Sequence, residues 1–475
     1  MKVASIRVHR YVVVSIAAWV ILLVYFALND TDALLLSLVL TPVIGTLLAL
    51  AFRARHVVLS IFMTLTLFSH AIAPPFFFMK RQFYTYGGGF GAVKDFRFGV
   101  FEFFQIYWWV LVFLVVTCLA TIAMGRRLPR ATAVYEPDGL DLAARVGPRT
   151  RVRASYAVMA FVVFVAIPLS LFMYSRRIGI TGVEPTVLPY RMTGIMSYFR
   201  MFMVPAIIFV GYALSTQRWP VAAVVMVYAF LGGIAGSSRY VVLLSAAPLL
   251  IFALVRRKTA RLVTILLLTA LLFVIVTATR RYVYTTSLPF TELLTRTLEE
   301  YDFSDFEPFD TVGGIANRLW GPQDVVLAYQ YRTPDQWTDI RRYFSGEVVV
   351  EDMTYEFYGM VFSGVSAGWG VGIGYIAWMV LLADRNLAVL LLLALITAAI
   401  LTASEAAVNE YFRAPEPAAR SVAQPLAFFT VYVMYSSTLH WWVNAMGIAL
   451  GGLLLLRLYR HRQSARDSGA TAAAP

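Results

Sequence analysis

Apolar runs of about 20 residues recur along this whole chain, and each is long enough to cross the hydrocarbon core of a bilayer as one α-helix. The runs fall at 11–28, 34–52, 57–78, 101–124, 154–174, 201–215, 220–235, 240–255, 262–279, 361–382, 387–403 and 425–456. They predict an all-α fold, a polytopic transmembrane bundle of about 12 helices. With 475 residues, 60% apolar and only 14% charged, the chain has no room for a large soluble catalytic domain, so any chemistry sits at a membrane face. The single Cys118 lies inside an apolar run, which excludes a disulfide framework and a thiolate metal site.

Charge orients the bundle. Lys2, Arg7 and Arg10 precede the first run with no small-residue cleavage pattern after it, so a retained helix with a cytoplasmic amino terminus is expected. That choice puts 53–56, 125–153, 216–219, 256–261, 384–386 and the tail from Arg457 inside. Together with the amino-terminal residues 1–10, these segments hold 22 of the 40 Lys/Arg but 5 of the 27 Asp/Glu, the asymmetry expected of cytoplasmic loops. The net charge of +13 is therefore read as positive-inside bias facing anionic lipid, and no nucleic-acid partner is expected. The expected organisation is 1–279 as the first nine helices with a basic linker at 125–153, 280–358 as a large external loop, and 359–456 as the last helices. A cytoplasmic tail, 457–475, is expected to be disordered. In this scheme 405–424 lies outside; the alternative places it inside and moves His440 to the outer face.

The outer face carries the functional signal. The loop at 280–358 is roughly 80 residues long, far beyond what joins two neighbouring helices, and long loops are commonly functional. Within it, Phe290, Leu293, Leu294, Leu298 and Tyr301 recur at helical spacing, as do Trp337, Ile340, Tyr343 and Phe344. Each set predicts a short amphipathic helix, lying on the bilayer or capping the bundle. Pro322 is placed to open another helix running through Tyr329. Arginines persist outside despite the rule that depletes them there: Arg176, Arg177, Arg191, Arg200, Arg239, Arg280, Arg281 and Arg318, with no lysine among them. A planar, permanently charged fork suits phosphate, and a diphosphate is the natural ligand. Arg239 follows Gly236-Ser237-Ser238 between two short helices, so the turn is expected to be sunken, with the backbone open to close approach. The acidic and aromatic stretch from Glu299 to Asp310 reads either as a sugar-stacking, base-bearing surface or as a solvated lip. His70 reads as a hydrogen-bonded interior residue.

This layout resembles the Wzy-type O-antigen or oligosaccharide repeat-unit polymerases of the bacterial inner membrane. The likeness rests on Tyr190-Arg191 and Arg200 in one external loop, the hairpin turn Gly236-Ser237-Ser238-Arg239-Tyr240, and Arg318 in a second large loop. Tyr355-Glu356-Phe357-Tyr358-Gly359, followed by Gly364, Gly368, Gly370 and Gly372, is similar to the family's glycine-rich re-entry into the membrane. The resemblance implies that a glycan moves from undecaprenyl diphosphate onto an incoming carrier-linked unit, at the periplasmic face and without a metal or other cofactor. It also implies membrane-lipid contact and partnership with a chain-length regulator and a flippase.

In that reading Arg191, Arg239 and Arg318 bind and stabilise the donor diphosphate as the catalytic set. Arg200, Arg280, Arg281 and Trp320 bind substrate, and Asp310 and Asp324 stand as candidate bases. The related ligases use a histidine in the large loop, and none occurs in 280–358, which favours polymerase over ligase. The competing functions are a lipid-linked oligosaccharide flippase, or another polyprenyl-phosphate-dependent glycosyltransferase. Deleting 290–350 separates the classes: a polymerase should lose all long glycan, whereas retained transport activity in a deletion that still inserts would favour the carrier.

Overall fold

The computed structural model describes residues 2–80, 99–127, 147–180, 188–189, 192–215, 218–255, 259–285, 288–300, 321–330, 374–413, 427 and 431. Every regular element among them is helical. Among the described residues seven helices are long and apolar enough to cross a membrane, and three shorter apolar helices, Ile16–Asn29, Trp219–Ala235 and Val241–Leu250, accompany them. The chain is thus a polytopic helical protein of membrane type. Arg191, Arg318, Trp320 and Asp310 lie outside the described residues. So do the second amphipathic segment near Trp337, the glycine-rich stretch 359–372, His440 and the tail 457–475.

The elements in order are α1 (Lys2–Asn29), α2 (Thr31–Ala54), α3 (Val57–Leu67), α4 (Ala73–Lys80), α5 (Val100–Met124), α6 (Pro148–Phe161), α7 (Ile167–Ser175) and α8 (Met192–Tyr198). They continue with α9 (Val204–Leu214), α10 (Arg218–Ala235), α11 (Arg239–Val255), α12 (Thr259–Thr285), α13 (Phe290–Glu300), α14 (Pro322–Gln330), α15 (Tyr375–Ala383) and α16 (Leu387–Arg413). Three rods, α3–α4, α6–α7 and α8–α9, are each continuous through a π-helical turn, at Phe68–Ile72, Val162–Ala166 and Phe199–Met203.

Packing sorts these helices into two groups that do not follow chain order. α2 to α5 share one core with α14, α15 and α16, built around residues such as Phe62, Phe103, Tyr107, Val326, Trp378 and Leu390. α6 to α13 form the other, built on Val162, Phe209, Tyr212, Tyr228 and Phe252, with a satellite cluster around Ile234 and Leu293. In the first group His70 is buried in its π turn, with Nδ1 3.3 Å from the Tyr107 hydroxyl, the interior role expected for it. Cys118 is buried as well, its Sγ 3.7 Å from the Leu47 carbonyl.

The first group corrects the placement of the carboxy-terminal helices. Glu405, buried near the end of α16, accepts the backbone N–H groups of Val57 (3.0 Å) and Val58 (2.7 Å). His56 lies against Gly125 at the end of α5. Glu405 therefore belongs to the end that carries 53–56 and the basic linker, and not to the opposite face. Thr117 of α5 donates to the Ala394 carbonyl (3.4 Å), so α5 and α16 run parallel. The 27 residues of α16 span about 40 Å, which puts the 384–386 turn at the far end. Charge could not reveal this, because Asp384 and Arg385 cancel in the turn that changes sides.

α14 confirms Pro322 as a helix start, and it is an interior helix. Residues 322–328 are all buried in the first core. α14 and α15 run side by side: the Gly374 N–H faces Asp324 Oδ2 at 3.4 Å, while Arg385 donates to the Tyr329 carbonyl (3.2 Å) and stacks over its ring. The Tyr375 hydroxyl meets Thr397 at 2.9 Å, ten residues or about 15 Å along α16 from the far-end turn. Part of the segment expected to be external thus enters the bundle. Cysteines placed at Arg126 and Asn386 in a Cys118→Ala background should label from opposite sides of sealed vesicles; labelling of both from one side would refute the parallel arrangement.

Candidate functional site

In the second group, Ser155 and Ser215 share a 2.6 Å hydrogen bond at the end next to the basic linker. A cluster of buried polar side chains lies at the far end. Two helices stop there in the same way. At α7, Ile178 N–H bonds to the Met173 carbonyl (2.7 Å) and Arg177 N–H to Tyr174 (3.0 Å); at α10, Ser238 N–H bonds to Gly233 (2.9 Å) and Ser237 N–H to Ile234 (2.9 Å). Both are Schellman closures, whose left-handed residue is usually glycine. Here it is Arg177 (φ 55°) and Ser237 (φ 47°), each carrying a strain on the order of 1 kcal/mol. Gly179 (φ 62°) then turns the chain back over the bundle.

Arg200 joins these two ends. It lies in the π turn Phe199–Met203, an inserted-residue defect that recurs at functional sites. Only 2% of it is exposed. Its Nη2 donates to the Gly179 carbonyl at 2.5 Å. Its guanidinium lies against Gly236, where an added Cβ would come within 2.9 Å of Nη1 and 3.1 Å of Cζ. The freedom expected at Gly236 is therefore taken up by Arg200 itself. Gly179 is equally tight: a Cβ there would stand 2.9 Å from Ser197 Oγ and 3.0 Å from Arg200 Nη2.

The guanidinium keeps unspent capacity. Nε and Nη1 are buried without a hydrogen-bond partner, and no carboxylate pairs with Arg200 among the described residues. Tyr228, two turns before Gly236 on α10, interacts with it electrostatically. The Tyr228 hydroxyl and Ser170 Oγ are buried close to each other near Gly232, yet neither makes a well-aligned bond. A buried polar group without a partner costs a few kcal/mol, and a buried unpaired charge costs more. Such a cluster favours an anion with several acceptor oxygens.

The roof is α13. It starts at Phe290 as expected and caps the bundle: Leu293 packs with Ile180, Ile234, Val242 and Val276. The Tyr174 hydroxyl donates to the Leu288 carbonyl at 2.7 Å, and its ring meets Phe290 edge-on at 5.5 Å. Glu292 pairs with Arg296 at 3.1 Å on the exposed face.

Of the residues singled out from the sequence, Arg200 stands at the centre of this cluster. The backbone of Arg239 opens α11 directly after the Gly236–Ser238 turn, and Arg280 and Arg281 occupy α12 one turn beyond Val276, which lies against Gly233. Asp324 is buried with the other helix group, where its carboxylate faces the Gly374 amide just before α15. Among the described residues no group of His, Cys, Asp and Glu could hold a metal ion. Sequence reasoning missed Tyr228, Ser170 and Gly179. Gly232 on α10 and Gly236 just past its end follow Tyr228 at intervals of four residues, and that pair of glycines was the available signal.

Compared with known proteins, the chain matches no family model, no curated protein and no solved structure. Gly236→Ala should push the guanidinium off its seat and lower stability by roughly 1–3 kcal/mol, read as a fall in melting temperature in detergent. A melting temperature equal to wild type would mean that Arg200 does not rest on this turn.

Proposed function

We propose that this chain polymerises undecaprenyl-diphosphate-linked oligosaccharide repeat units, as glycosyl transfer without a metal at the periplasmic face of a bacterial inner membrane. The observation that carries the proposal is Arg200, a guanidinium sunk among helices of membrane type with two donors unspent, beside a helix turn that ends one residue before Arg239. The cluster suits a diphosphate on chemical grounds, since parallel N–H donors match paired phosphate oxygens and keep their charge when dehydrated. The family resemblance supplies the reaction.

In that reaction the bond between the donor sugar's anomeric carbon and the diphosphate oxygen breaks, and the electron pair leaves with undecaprenyl diphosphate. The acceptor hydroxyl oxygen forms the new bond to that carbon and gives its proton to a base. Arg200, with Arg239 and Arg318, stabilises the charge that grows on the departing diphosphate; Arg191, Arg280 and Arg281 complete the cationic surround. Arg200 thereby moves from a substrate-orienting role into the central one. Asp324, engaged at the start of α15, anchors structure in this scheme, and Asp310 remains the candidate base.

In cells lacking the native protein, Arg200→Ala, Arg239→Ala and Arg318→Ala should each abolish long glycan chains while the protein still inserts. Lysine at the same positions should restore little, because one ammonium cannot replace the bidentate fork. Glycan ladders of wild-type length from all three alanine variants would end the proposal.

A further inference from the structure

The bundle has a second cationic feature at the opposite end, in the other helix group. A cavity of about 220 Å3 lies where α2 and α5 terminate, with Arg53, His56 and Arg126 around it and Leu50 and Ile122 as its apolar floor. Among the described residues, no carboxylate lines it. The nearby acid, Glu405, is turned away, with one oxygen on the Val57 amide and the other on the Val58 amide. Two full positive charges therefore face one small hollow with no internal counter-ion among the described residues. The helix ends oppose an anion, since each C-terminus presents about half a negative charge, but the two guanidinium groups outweigh them.

The hollow is built by specific packing. The α2 closure bends the chain through Arg55 (φ 59°), with His56 N–H on the Ala51 carbonyl (3.3 Å) and Arg55 N–H on Phe52 (3.1 Å). That turn lays the His56 ring on Gly125, where any Cβ would fall 2.2 Å from Cε1. The arginines on either side are thus fixed to two helices that cannot separate without unseating His56.

Its surroundings identify the occupant. Phe52 and Met124, neighbours of Arg53 and near neighbours of Arg126, are 49% and 43% exposed, and Leu119 one turn further along α5 is also exposed. In helices of membrane type such side chains face acyl chains. The cavity therefore sits at the boundary between hydrocarbon and headgroups, with cations above and apolar surface below. Basic pockets between helices in this position hold phosphorylated headgroups. We infer that this cavity binds the phosphate of an anionic phospholipid, one lipid per chain, with its acyl chains along Phe52, Leu119 and Met124. The inference is independent of the glycosyl-transfer reading, and it differs from diffuse attraction of a basic face for an anionic leaflet because it is saturable and local.

The test uses the full chain purified in neutral detergent and titrated with phosphatidylglycerol, phosphatidylcholine or inorganic phosphate. Bound lipid is read by native mass spectrometry and stability by melting temperature. One phosphatidylglycerol should be retained per chain, with phosphatidylcholine at least tenfold weaker and inorganic phosphate unable to displace the lipid. Arg53→Gln with Arg126→Gln should weaken phosphatidylglycerol at least tenfold. The charge-matched pair Arg149→Gln with Arg153→Gln, on the same basic face but away from the cavity, should not. Equal retention of the two lipids by wild type would overturn the inference without recourse to any variant. So would indistinguishable loss in the two double variants, and displacement by inorganic phosphate would show a site for the free ion instead.

Discussion

A backbone amide or carbonyl inside a bilayer has no water to turn to, so a protein of this kind must close its own helix ends. Most of the features that position the two cationic sites are such closures. Asp30 accepts the Asp32 and Ala33 amides to start α2, and Glu405 does the same for α3 from far along the chain. Asp324 faces the Gly374 amide just before α15. At the other polarity, Arg55, Arg177 and Ser237 bend the chain back through the left-handed region to satisfy terminal carbonyls. Each closure fixes the direction of the next segment, and the segments that matter here start from them.

The two ends of the molecule show the same residue type under different conditions. Arg200 is enclosed by Gly179, Gly236 and Tyr228, and among the described residues its charge meets the Gly179 carbonyl and a nearby phenol ring. Arg53 and Arg126 reach a cavity that opens beside lipid-facing side chains. An enclosed guanidinium is costly to maintain and gains much from a matching anion; an interfacial one is cheap and gains less. The contrast fits a substrate group at the first position and a resident headgroup at the second.

Apolar run length and charge were enough to read the membrane-type helical class, and helical spacing was enough to place α13 and the start of α14. The buried state of α14 was not legible, because Pro322-Gln323-Asp324 looks like a solvated helix start until α15 is set beside it. The sidedness of α16 was hidden for a related reason: the bonds that fix it join Glu405 to amides of Val57 and Val58, and no charge count sees a backbone amide. The burial of Arg200 was not legible either, since it depends on a π turn that no periodicity argument anticipates. The glycine pair at the end of α10 was visible in the sequence; its partner was not.

The division into two helix groups has a consequence for how the protein is made. α3 emerges early, but the carboxylate that caps it lies 348 residues later for Val57. At a synthesis rate of roughly 5–20 residues per second, that helix end waits about 20–70 seconds, during which the entire second group is inserted. The contacts that close the first group around α3 are therefore completed only after the second group has been made.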